Sequence, residues 1–127
     1  MTVLPIRISG DPVLHKPAGE VAEFDANLRQ LVDDMFETMD AARGVGLAGP
    51  QVGVPLRVFV YDYPDSDGAA RRGVAINPTL WITPPPIGEP DPDSETEGCL
   101  SFPGEHFALR RSSSAILRAI NFNREEF

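Results

Sequence analysis

The chain has 127 residues, enough for one domain with its own core, and no apolar run reaches the roughly 18 residues of a membrane-spanning helix. Its net charge of -8, from 19 acidic and 11 basic side chains, opposes non-specific nucleic-acid binding; direct DNA binding is not expected, and any RNA contact would be local. A lone cysteine excludes an internal disulfide, and the start lacks the basic-then-apolar pattern of a secretory signal, so a cytoplasmic protein is expected.

From Val3 to Gly19, Ile6 and Ile8 alternate around Arg7, and Asp11-Pro12 and Lys16-Pro17 follow. This reads as an extended arm with turns. His15, between Leu14 and Lys16, reads as an ordinary side chain rather than a ligand. The pattern changes at Asp25. Leu28, Leu31, Val32, Met35 and Met39 fall on one stripe of period 3.6, with Arg29, Asp33, Asp34 and Glu37 mostly away from it. That is an amphipathic helix, capped by Asp25 and ending before Gly44.

Next comes Gly44-Val45-Gly46-Leu47-Ala48-Gly49-Pro50-Gln51-Val52-Gly53, which contains Gly-x-Gly-x-x-Gly. A dinucleotide-binding turn follows a strand and opens a helix, whereas this box follows a helix and leads through Pro55 into the strand-like Leu56–Tyr61. It reads either as a tight helix-to-strand connection or as bare backbone that lies along a peptide-like ligand. In the second case it pairs with the ligand as an added strand and aims Gln51 into a site.

A second strand is predicted at Val74-Ala75-Ile76, broken by Asn77-Pro78 before Leu80-Trp81-Ile82. Thr83 to Pro92 carries five of the chain's 13 prolines and reads as a stiff exposed loop. The alternating acids Glu89, Asp91, Asp93, Glu95 and Glu97 lack the glycine of a calcium loop, so they read as solvated. Cys99 follows between Gly98 and the Pro103-Gly104 pair, which is expected to set a turn after a short extended run. Strands are predicted at His106–Leu109 and Ala115–Ile120, turning through Arg110–Ser114, and residues 121–127 show no periodicity.

Two stretches, Gly44–Gln51 and Glu97-Gly98-Cys99-Leu100-Ser101, resemble the first two signature boxes of peptide deformylases. Asp11-Pro12-Val13-Leu14, the helix, and Ile76-Asn77-Pro78 are similar to that family too, so the resemblance runs from about residue 4 to 119. Gly49 departs from the family's usual alanine, which is expected to loosen the backbone mildly. The resemblance implies an α+β fold in which short antiparallel strands pack with an N-terminal helix. It implies metal-assisted hydrolysis of the formyl group from the N-terminal formyl-methionine of newly made proteins, and, in the family, a ribosome contact through the C-terminal end. The metal is usually ferrous iron (Fe2+), sometimes zinc or nickel (Zn2+ or Ni2+).

Carried onto this sequence, Cys99 is the thiolate ligand, and Gln51 and the backbone N–H of Leu100 are oxyanion donors. Gly46 is a backbone contact to the substrate, Glu97 a supporting carboxylate near the site, and His106 stands where some members carry an arginine beside the peptide. The family's His-Glu-x-x-His box has no counterpart, because His15 and His106 are the only histidines. The expectation is therefore a single, C-terminally truncated deformylase-like domain over 1–127, without the metal-binding helix and inactive alone. It is expected to self-associate through the sheet face that helix would cover. A non-catalytic binder of formylated N-termini and a decaying remnant are the alternatives, and a cysteine hydrolase with Cys99 as nucleophile and His106 as base is a third.

Overall fold

A computed structural model describes residues 2–65, 67–91, 93, 95–112 and 114–127. Pro92 of the proline-rich loop and Ser113 of the turn predicted before the last strand lie outside the described residues. In chain order the elements are α1 (Ala26–Ala41), β1 (Gly46–Ala48), β2 (Val58–Pro64), β3 (Ala70–Ile82), β4 (Thr96–Cys99), β5 (Phe102–Ala108) and β6 (Ala115–Ile120), with 3-10 turns at Pro12–His15 and Gly49–Val52. The fold is α+β. Four strands form an antiparallel sheet in the order β1-β2-β3-β6, and β4 and β5 form a separate hairpin.

The helix follows its apolar stripe. Asp25 accepts the Leu28 N–H at 3.0 Å as an N-cap, and Leu28, Val32, Met35 and Met39 are buried against Leu47, Val58, Val60, Val74 and Ile76 of the sheet. Each such side chain removed from water contributes about 1.5–3 kcal/mol. The helix closes with a Schellman turn: the Gly44 N–H donates to Met39 O at 3.0 Å and the Arg43 N–H to Asp40 O at 3.1 Å. Asp34 differs from its expected solvent-facing place. It is buried, and its Oδ1 accepts the Thr2 N–H at 2.7 Å and Gln30 Nε2 at 2.8 Å. A carboxylate tolerates that burial because donors surround it.

Two strands are longer than expected, β3 and β5. Asn77-Pro78 does not break β3; the register against β6 shifts between Ile76 and Thr79, a bulge that absorbs the proline. Asn77 takes a left-handed φ of 51°, which asparagine tolerates better than most residues. Its side chain holds both the N–H and the C=O of Val21, at 2.8 and 3.0 Å. The turn expected at Pro103-Gly104 lies instead at Leu100-Ser101, and Pro103 to Glu105 bulge out of β5, since Gly98 faces His106 while Cys99 faces Phe102. Gly104 has a φ of 77° there. Residues 121–127 fold back on β6, where Ala119 and Phe127 exchange both backbone hydrogen bonds at 2.9 and 3.0 Å. Among the described residues no helix is long and apolar enough to cross a membrane.

The arm predicted at the N-terminus is extended apart from its 3-10 turn, and it links distant parts of the chain. Leu4 N–H donates to Thr38 Oγ1 at 2.8 Å. Farther on, the Arg7 N–H donates to Gln51 O at 2.7 Å and the Ser9 N–H to Ser101 O at 2.8 Å. Alternate amides of one extended segment thus join the glycine box to the cysteine turn.

Candidate functional site

Those two stitched segments form the walls of a cavity of about 490 Å³, lined among others by Arg43, Gly46, Gln51, Cys99, Leu100 and His106. On one wall, β1 is the end strand of the sheet. Val45 O accepts the Asp62 N–H at 2.9 Å, and Gly46 lies opposite Tyr61. Hydrogen-bonded and non-bonded pairs alternate in an antiparallel ladder, so the N–H and C=O of Gly46 point away from β2, toward the open edge.

Gln51 sits in the 3-10 turn that follows. Its Oε1 accepts the Ala48 N–H at 3.0 Å, and this fixes which end of the amide is which, since only the oxygen can accept. The Nε2 is thereby turned to Ser101 Oγ at 3.2 Å and to Cys99 Sγ at 3.9 Å. The sequence separation of that last pair is 48 residues. Cys99 itself is an exposed free thiol.

The walls meet at bare backbone: a Cβ on Gly44 would lie 2.9 Å from Leu100 Cδ1, the end of a side chain that could shift aside. Gly49 is not loose, contrary to expectation. It is buried, and a Cβ there would lie 2.9 Å from the carbonyl oxygens of both Val54 and Leu56.

The other candidate residues divide. His106 lines the cavity, its ring against Gly98. Among the described residues no hydrogen bond joins it to Cys99, so the nucleophile-and-base pairing lacks its defining contact. His15 is exposed in the first 3-10 turn, away from the cavity lining. Glu97 is not brought to the cavity of Cys99. It lines a different cavity beside Arg111, which grips it at 2.7 and 2.8 Å.

The Arg111 hydrogen bonds hold the Glu97 carboxyl below its ordinary value of 4.5. A carboxylate with a depressed folded pKa contributes stability above the ordinary value and loses it as pH falls through the folded one. The pair is therefore expected to brace the hairpin at neutral pH and to let go only below 4.5. Arg111→Gln should return the Glu97 titration toward that value, as followed by carboxyl-carbon NMR.

Sequence reasoning does not single out Ser101. It is 3% exposed and touches Gln51 through its hydroxyl and the arm through its carbonyl. Its place at the end of the cysteine box is the one available signal.

A three-ligand metal centre needs more than these residues bring together. Cys99 supplies a thiolate of the right chemistry, but among the described residues no group of three or more His, Cys, Asp and Glu could hold an ion. The donor set fits one corner of such a centre and not the whole.

The family model described as polypeptide deformylase matches residues 3–127, beyond the span carried by the motifs. A peptide deformylase of Rhodococcus opacus (strain B4) is 55% identical over 119 residues, covering 91% of this chain and 61% of that protein. One from Mycolicibacterium paratuberculosis is 53% identical over 128 residues, covering 95% and 65%. The chain thus spans less than two thirds of these relatives. A crystal structure of a peptide deformylase from Legionella pneumophila superposes with a TM-score of 0.83 at 35% identity, covering 99% of this chain and 70% of that one.

Proposed function

Since this chain belongs to the polypeptide deformylase family, we propose that its cavity receives the formylated N-terminal methionine of newly made cytoplasmic proteins. The peptide adds as a strand along the open edge at Gly46. Gln51 Nε2 and the Leu100 N–H donate to the formyl oxygen as charge develops on it, and Cys99 contributes one ligand to a divalent metal. The observation that carries this reading is the aim of Gln51 Nε2 at Cys99 Sγ, 3.9 Å away, an arrangement held by three separate segments.

Hydrolysis needs further ligands and a proton acceptor at the cavity. We therefore propose that these 127 residues bind formylated peptide without turning it over. Titration with formyl-Met-Ala-Ser amide should saturate without release of formate, while the unformylated peptide binds more weakly. Equal binding of the two peptides would sink the reading. A chimaera that adds the part of the Rhodococcus opacus relative not spanned by this chain should gain formate release.

Self-association belongs to the same proposal. Leu80, Trp81, Ile82 and Ile116 of β3 and β6 are half or more exposed. Phe127 takes the outer edge of β6 at Ala119, but these side chains leave apolar sheet face open, and a second copy can cover it. Sedimentation velocity should show a concentration-dependent dimer, weakened by Ile116→Lys.

A further inference from the structure

Arg43 stands at the junction of α1 and the glycine box, in the left-handed conformation with φ 55°. It occupies the position after the helix cap that glycine usually fills, because a Cβ is strained there. Its side chain is also unusual. Seven other arginines form ion pairs with carboxylates, and Arg29 and Arg124 lie 3.9 and 5.0 Å from the ring centres of Phe122 and Phe24. Among the described residues Arg43 alone has neither kind of partner. The nearest helix acid, Asp40, is taken by Arg72 at 2.9 and 3.0 Å. In a chain of net charge -8, an unpaired guanidinium on a strained backbone is a feature without a structural reason.

Its surroundings supply a functional one. Arg43 lines the same cavity as Gly46, Gln51 and Cys99. Glu105 and His106 stand on the facing hairpin wall, and among the described residues no ion pair joins Glu105 to it. Arg43 is three residues before Gly46, a reach of at most about 10 Å, or about three residues of extended peptide. A peptide whose formyl end lies at Gln51 and Cys99, and whose backbone runs past Gly46, therefore brings its next side chains to Arg43.

We propose that Arg43 is a specificity residue that receives an acidic side chain on the second or third residue after the formyl-methionine. The inference rests on the substrate reading above. Arg43 lines the groove and forms no ion pair with a carboxylate among the described residues, and a guanidinium's fork of donors matches a carboxylate in two hydrogen bonds.

The test uses the 127-residue chain and pairs of C-terminally amidated formyl-Met peptides that differ only by Asp or Asn at those two positions. At low salt the Asp peptide is expected to bind about threefold to fivefold tighter, as for a partly exposed ion pair, and the preference should shrink as salt rises. Arg43→Gly should bring the ratio to about one while raising the thermal midpoint by a few degrees, since the left-handed strain is relieved. Arg43→Lys should keep only part of the preference, because it retains the charge without the two-bond fork. Equal binding of Asp and Asn peptides by the wild-type chain, or an unchanged preference in Arg43→Gly, would overturn the inference alone. Failure of every formyl peptide to bind would overturn the substrate reading and this inference with it.

Discussion

Gln51→Glu is expected to lower formate release by the chimaera about 10²–10³-fold, the usual consequence of losing one oxyanion donor, with little change in thermal midpoint. The two effects separate because the Gln51 amide has two ends with different duties. Its Oε1 caps the Ala48 N–H at 3.0 Å, and a glutamate oxygen can do the same. Its Nε2 faces Ser101 Oγ and Cys99 Sγ, and there glutamate presents an acceptor where the reaction needs a donor. The Ser101 hydroxyl can turn to donate to the new carboxylate, so the fold keeps its hydrogen bonds. Gln51→Leu removes both ends and should also destabilise by about 1–3 kcal/mol, because a half-buried amide hydrogen is left without an acceptor. Kinetics and thermal melts on the two variants together check the division. Equal loss of stability in both, or full activity in Gln51→Glu, would show that the amide nitrogen has no part in the reaction.

Features set by local periodicity are legible in the sequence itself. The stripe from Leu28 to Met39 marks α1, and Ala115–Ile120 is β6 with the bounds expected. Cys99 and Gln51 are legible as a pair only through the resemblance, since nothing in their separation says that they meet. What escapes a reading of the sequence is the partners fixed by distant backbone. Asp34 looks like a surface acid until the N–H of Thr2 arrives from the other end of the arm. Asn77-Pro78 looks like a strand break, because proline cannot donate to a ladder; the bulge and the hold on Val21 make it a joint instead. Glu97 stands two residues from Cys99, and residues two apart on a regular strand share a face. Arg111 instead holds the Glu97 carboxylate at 2.7 and 2.8 Å in a cavity of its own, a partner that nearness in sequence to Cys99 does not disclose. The strain at Arg43 is equally invisible, as its φ comes from how the helix ends and not from its own preference.

Cys99→Ser is expected to abolish formate release by the chimaera, a loss beyond the 10–100-fold that accompanies removal of groups behind a metal ligand. The reason is the donor itself. A thiolate binds a soft or borderline divalent ion far better than a neutral hydroxyl of similar shape, and among the described residues no further cluster could replace it. Cys99 is exposed, so the same claim can be read without any turnover. In the 127-residue chain the thiol should react freely with an alkylating reagent, and zinc at moderate concentration should protect it little. In the chimaera stoichiometric zinc should protect it almost fully, with protection lost on adding a chelator. Serine in its place leaves the cavity, the arm and the Gln51–Ser101 contact intact, so formyl-peptide binding by the 127-residue chain should survive the substitution that removes chemistry. If the chimaera binds zinc but its Cys99 still alkylates at the free rate, the thiol is no ligand. The shared placement of Gln51 and Cys99 would then describe a binding groove alone.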